Sequence, residues 1–105
     1  MEIVIKNLRN CKPTEPWDFR VDRGTVVGNP FYMKDESKRD EVCDKYEEYF
    51  EKQRVENVDF LAYLTKLVLT YAAYGKLNLF CWCAPKRCHA ETIKKYVERK
   101  VKDYV

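Results

Sequence analysis

A chain of 105 residues is long enough for one compact core and too short for two ordinary domains. With 46% hydrophobic and 35% charged residues, 3 glycines and 4 prolines, it is neither a disordered nor a fibrous chain. The net charge of +3 arises from 20 basic and 17 acidic residues that are interleaved, so nucleic-acid binding is permitted but not indicated; the apolar runs 67–74 and 77–84 fall short of the ~20 residues a membrane helix needs.

The segment from Met1 to Arg9 lacks the basic-then-apolar order and small-residue cleavage site of a secretory leader, so a cytoplasmic location is expected. Glu2 to Leu8 alternates, with Ile3 and Ile5 on one face and Val4 on the other, and predicts a first strand. Asn10 to Trp17, with Pro13 and Pro16, reads as a connecting loop in which Trp17 is a candidate for a pocket mouth. Phe19, Val21 and Arg23 alternate with Arg20 and Asp22 in a short second strand ending at Gly24.

A first helix is expected from near Ser37, capped by Asp35 or Ser37, with Val42, Tyr46, Tyr49 and Phe50 on one stripe. A second, capped by Asp59, carries Phe60, Leu61, Leu64, Leu67, Val68, Tyr71 and Tyr74 at helical period until Gly75 ends it. Leu77 to Ala84 then predicts a strand with Leu77, Leu79, Cys81 and Cys83 on one face and Phe80 and Trp82 on the other, where Trp82 would pack against a helix. Apolar residues on both faces mark that strand as central, and Pro85 is expected to stop it. A third helix, starting between Cys88 and Ala90, carries Ile93, Val97, Val101 and Tyr104.

The order β-β-α-α-β-α, with helices between strands, calls for crossover connections and so for a mainly parallel sheet with flanking helices. The fold expected is a single α/β domain over residues 1–105, a small Rossmann-like layered sandwich. Ligands of such sheets gather beyond the carboxyl ends of the strands, where the loops after the second and third strands both begin.

Two stretches carry candidate chemistry. Arg23, Gly24, Gly28, Asn29, Pro30 and Phe31 form a loop in which glycine permits close backbone approach and Pro30 holds Asn29 out of helical geometry. It reads either as an anion or nucleotide cradle, with Arg23 and Asn29 as donors, or as a plain turn plugged by Phe31. Arg39 falls on the inward face of the first helix, where it needs a buried carboxylate such as Asp22 or an anionic ligand.

Of the five cysteines, Cys81, Cys83 and Cys88 cluster beside His89, the sole histidine, unlike a secreted disulfide framework. Cys11 and Cys43 read as ordinary thiols. Three readings of the cluster stand side by side. Zinc could be held by Cys81, Cys83, Cys88 and His89, although a Cys-x-Cys pair followed by adjacent, diverging Cys88 and His89 is not the usual knuckle. Cys88 or His89, at a helix N-terminus, could do nucleophile or proton-transfer work. The thiols could equally be core packing. A single serine, a single glutamine and abundant Lys, Glu and Tyr resemble thermophile usage, where intracellular disulfides do occur, so a structural disulfide also stays open.

Taken together, Arg-Val-Asp-Arg-Gly-Thr-Val-Val-Gly-Asn-Pro-Phe from Arg20, Lys38-Arg39, and Leu-Phe-Cys-Trp-Cys-Ala-Pro-Lys-Arg-Cys-His-Ala from Leu79 resemble the family known as domain of unknown function 4326, from roughly Ile3 to Val97. The resemblance implies a compact domain common in bacteriophage, viral and prokaryotic genomes. It draws attention to the residues already singled out and supplies no activity. A glycine often follows the histidine in that pattern, where Ala90 stands here. The functional expectation is a binder of a nucleotide-like or phosphorylated small molecule, using Arg23, Gly28, Asn29 and Arg39. The alternatives are a zinc-stabilised module for nucleic acid or a host protein, and a nucleotide or glycosidic-bond transfer enzyme using Cys88 and His89.

Overall fold

The computed structural model describes residues 1–84 and 86–104; Pro85, expected to stop the third strand, and the side chain of Tyr104 lie outside the described residues. Strands β1 (Glu2–Asn7) and β2 (Asp18–Arg20) are followed by helices α1 (Arg39–Glu56) and α2 (Val58–Tyr74), strand β3 (Lys76–Cys81) and helix α3 (Ala90–Tyr104). This is the β-β-α-α-β-α order expected. All pairing is parallel, in the order β1-β3-β2, so the last strand in sequence is the central one. Its register sets Ile3 opposite Leu77 and both Ile5 and Phe19 opposite Leu79. These side chains line one face, which packs with Leu64 and Leu67 of α2 and Ile93, Val97 and Val101 of α3 in one apolar cluster. On the other face Phe80 is also buried, opposite Lys6 and Arg20.

Local chemistry sets the helix ends. Asp35 accepts from the Ser37 backbone N–H (2.9 Å) and starts a 3₁₀ turn, Glu36–Lys38, that runs into α1. The cap of α2 is Asn57, whose Oδ1 accepts from Phe60 N at 3.2 Å, not the expected Asp59; the chain is extended at Asn57 and already helical at Asp59. Gly75 ends α2 at φ 71°, a left-handed conformation that a Cβ would strain. The buried stripe of α2 is narrower than its apolar period. Phe60, Leu64, Leu67, Val68 and Tyr71 are buried, whereas Leu61 and Tyr74 are 40% and 51% exposed. The Tyr74 ring packs instead on Trp17, 5.5 Å between centroids, and Lys76 lies over the same indole at 3.9 Å. Trp17 is thereby held beside the start of β3, at the opposite end of the sheet from any pocket beyond the strands' carboxyl ends.

Strands two and three are shorter than their alternation suggests. Beyond β2, Val21 N still donates to Phe80 O (2.9 Å), but the Asp22 carbonyl then closes a turn with Thr25 N. Beyond β3, the ladder gives way to a side chain: Asn7 Nδ2 donates to the carbonyls of Trp82 (3.2 Å) and Ala84 (2.8 Å). Among the described residues no helix is long and apolar enough to cross a membrane.

Candidate functional site

The loop after β2 is built on a backbone-to-backbone approach. A Cβ on Gly28 would lie 2.4 Å from the Asp22 carbonyl oxygen and 2.6 Å from Arg23 Cα, so the loop closes on itself only with glycine there. Gly28 does not itself line a cavity; it places the next residue. Asn29 is buried, and its Oδ1 accepts from Phe31 N (2.9 Å), an Asx turn that Pro30 helps to hold. Its Nδ2 makes no hydrogen bond among the described residues. Asp22 is 5% exposed and takes hydrogen bonds from Arg20 Nε (3.1 Å) and Trp82 Nε1 (3.1 Å). Burial pushes its carboxyl up, but these two donors outweigh that and hold it below its ordinary value.

Trp82 is therefore not packed against a helix as expected. Asn7 draws its backbone off the sheet, and the indole, 55% exposed, stands at the site with its N–H on Asp22. Arg39 does face inward, but Asp22 is not its partner, because Arg20 has already paired with Asp22 from two residues away. Arg39 forms a two-pronged pair with Glu36 (2.8 Å each) and donates through Nη1 to the Arg87 carbonyl (2.8 Å). This pair holds the Glu36 carboxyl down to about 2. Arg87 is in turn neutralised by Asp40, Asp44 and Glu47 of α1. Arg23, which donates to the Phe31 carbonyl (2.7 Å) and lies over the Tyr32 ring, has no carboxylate partner among the described residues.

At the start of α3, Cys88 and His89 diverge. The buried His89 ring donates from Nε2 to the Val21 carbonyl and stands edge-on to Tyr46, 5.1 Å between centroids. Burial lowers its pKa, opposed by the bond to Val21, so at neutral pH the ring is uncharged with its proton on Nε2. Nδ1 makes no hydrogen bond, and no fully buried side-chain nitrogen or oxygen lacks a partner among the described residues, so Nδ1 keeps contact with solvent. Cys88 turns the other way, with its Sγ 3.3 Å from that of Cys81. Cys83 lines the same cavity wall as Cys88 and Arg39. The neighbouring Cys88 thiol, aided by the Arg39 guanidinium and opposed by burial, brings Cys83 down to about 5, while Cys81 first, then Cys83 and burial, push Cys88 up so that it keeps its proton. The first turn of α3 is closed by Glu91, which accepts from Cys88 N at 3.2 Å.

The expected zinc ligands are thus not assembled. Cys81, Cys83 and Cys88 come together, but His89 points its Nε2 at Val21, and among the described residues no three His, Cys, Asp or Glu side chains are arranged to hold a metal ion.

Between the two motifs lies a cavity of about 300 Å³. The loop after β2 contributes Asp22, Arg23, Asn29 and Phe31; α1 contributes Arg39, Val42 and Cys43; the segment after β3 contributes Trp82, Cys83, Arg87, Cys88 and His89. Of the residues singled out from the sequence, Gly24, Gly28, Pro30, Cys81 and Trp17 do not line the cavity. Arg87, Met33 and Asn7 were not anticipated. Asp40, Asp44 and Glu47, spaced along one face of α1, were a legible signal for the first, since an acidic stripe on one helix face calls for a cation.

The model of the family described as domain of unknown function (DUF4326) matches residues 5–99, and the chain belongs to that family. No curated protein and no solved structure matches it.

Proposed function

We propose that this member of the family binds a nucleotide-like or otherwise phosphorylated small molecule in the cavity between the Gly-Asn-Pro-Phe loop and the Cys-His helix start. The observation that carries the reading is a set of polar groups on the cavity wall whose hydrogen-bonding capacity is only partly used among the described residues. The Asn29 carboxamide N–H₂ and the Arg23 guanidinium can donate to an anion, and His89 Nδ1 can accept. Phe31, Met33, Val42 and the Trp82 indole supply apolar and aromatic surface beside them. About 300 Å³ is at the lower end of ligand sites, which favours a mononucleotide or smaller molecule over a dinucleotide.

The two alternatives have less support. A zinc-stabilised module lacks its fourth ligand in His89. Transfer chemistry on Cys88 and His89 would use a thiol that keeps its proton and an imidazole whose Nε2 is committed to the backbone.

Isothermal titration against inorganic phosphate and a panel of nucleoside mono-, di- and triphosphates tests the reading, with Asn29→Asp and Arg23→Ala as variants. Asp at 29 preserves the acceptor of the Asx turn and replaces the free donor with an anion, so fold and binding separate. Each variant is expected to weaken binding about tenfold or more while unfolding near the wild-type temperature. Wild-type affinity in both, or no saturable binding across the panel, would overturn the reading.

A further inference from the structure

The two sides of the cavity differ in charge. The loop after β2 carries Arg23, exposed and without a carboxylate partner among the described residues, and the Asn29 carboxamide with its N–H₂ unbonded. Elsewhere on the wall no surplus positive charge remains. Arg39 is matched by Glu36, Arg87 by Asp40, Asp44 and Glu47, and the buried Asp22 carboxylate by Arg20. An anion set against those pairs would give up its water and gain no net countercharge. A phosphate therefore belongs at Arg23, and the part of the ligand that meets the segment after β3 must be neutral.

What that segment presents is an indole. Trp82 lines the cavity at 55% exposure, and among the described residues no aromatic ring or cation stacks on it. The other two aromatic residues more than half exposed are covered, Tyr32 by Arg23 and Tyr74 by Trp17. Nor is the Trp82 ring free to turn away. Its Nε1 donates to Asp22 at 3.1 Å, Asp22 is held in turn by Arg20 Nε at 3.1 Å, and the Trp82 carbonyl accepts from Asn7 Nδ2 at 3.2 Å. An indole fixed at its polar edge and uncovered elsewhere offers a flat apolar surface whose ordering entropy is already spent, which suits a planar ring.

We infer that the ligand is a nucleoside phosphate, with its base stacked on Trp82 and its phosphate at Arg23. This assignment rests on the reading of the cavity as a phosphorylated-ligand site and adds that a base is required. Every common base carries a ring N–H or amino donor, and His89 Nδ1 on the same wall is an acceptor without a hydrogen bond among the described residues. Stacking uses the π-face that all bases share, so Trp82 selects for a base over none and discriminates little between one base and another.

Isothermal titration of the wild type compares adenosine and uridine monophosphates with ribose-5-phosphate and inorganic phosphate. Both nucleotides are expected to bind about tenfold or more tightly than ribose-5-phosphate, and Trp82→Ala to erase that advantage while ribose-5-phosphate binds as before. Trp82→Phe, which keeps a ring, is expected to retain most of it. Trp17 is the one other tryptophan in the sequence, so in Trp17→Phe the emission reports on an unaltered Trp82. Saturating nucleotide is expected to quench most of that emission and ribose-5-phosphate to leave it unchanged. Equal affinities for nucleotide and ribose-5-phosphate, undiminished nucleotide binding in Trp82→Ala, or unquenched Trp82 emission at nucleotide saturation would each overturn the base assignment and leave the phosphate site standing. Absence of saturable binding by all four compounds would remove both.

Discussion

Gly28→Ala is the sharpest test of how the site is built. The added Cβ would lie 2.4 Å from Asp22 O, 2.6 Å from Arg23 Cα and 2.9 Å from the Asp22 carbonyl carbon. All three are backbone atoms, so no side chain can swing aside. The backbone from 22 to 28 must open, at the expense of the Gly28 N to Thr25 O bond and of the fully buried Val27. Overpacking ordinarily costs about 1–3 kcal/mol, and an all-backbone clash belongs at the top of that range. About 3 kcal/mol is a large part of the roughly 5–15 kcal/mol expected for a domain of this size and corresponds to a fall in Tm of roughly 10–20 °C. Gly24→Ala is the matched control. The nearest atom to its Cβ is 3.8 Å away and its φ is not positive, so its cost should stay within about 0.5 kcal/mol. Urea unfolding followed by circular dichroism reads both. A wild-type midpoint for Gly28→Ala, or equal losses in the two variants, would refute the close-approach account.

Two further outcomes follow from the buried donors. Tyr46→Phe removes the hydroxyl that donates to the Val27 carbonyl at 2.6 Å and leaves that acceptor buried, a loss of about 1–2 kcal/mol in denaturant unfolding; a neutral substitution would show the bond to be idle. His89, as the sole histidine, gives a single imidazole titration by NMR, expected below its ordinary 6.5 with the neutral proton on Nε2. Because its folded pKa is depressed, the stability it contributes is complete above about 6.5 and lost as pH falls through the folded value. Measuring this in Cys83→Ser removes the thiol that titrates in the same range, and a midpoint above 6.5 would contradict the burial argument.

The fold was legible wherever a period repeats. Leu64, Leu67, Val68 and Tyr71 mark α2 over several turns, Gly75 ends it, and the two-faced apolar pattern of Leu77, Leu79 and Phe80 identifies β3 as the strand with neighbours on both sides. What was not legible depends on competition between near neighbours. Asn57 and Asp59 are both good caps, and the chain's bend at Asn57 decides between them. Arg39 could have reached Asp22, but Glu36 lies three residues away and Arg20 had captured Asp22 first. Alternation along Leu79, Phe80, Cys81 and Trp82 suggests a longer strand because nothing local reveals that Asn7, on another strand, takes the Trp82 and Ala84 carbonyls. Cys88 and His89 behaved as adjacent residues at a helix start do, diverging, and that alone separated the thiol cluster from the imidazole.

The convergence of two distant motifs needs no special device beyond parallel pairing. β2 and β3 are neighbours running the same way, so their carboxyl ends sit about 5 Å apart and the loops that leave them share one rim. What is particular to this chain is how that rim is fixed. His89 holds the Val21 carbonyl, Tyr46 holds the Val27 carbonyl, and the two rings pack edge-on, so the loop is anchored at two points by buried donors, one from α1 and one from the turn before α3. Gly28 then closes the loop on Asp22, and Asn29 emerges with its acceptor used and its donors free. A site held in this way is ordered on its own, so binding of the proposed ligand would lose little entropy in arranging it. The same anchoring couples site to fold: a change at Tyr46 or His89, neither of which would donate to the anion, should weaken binding and stability together, whereas Asn29→Asp should weaken binding alone.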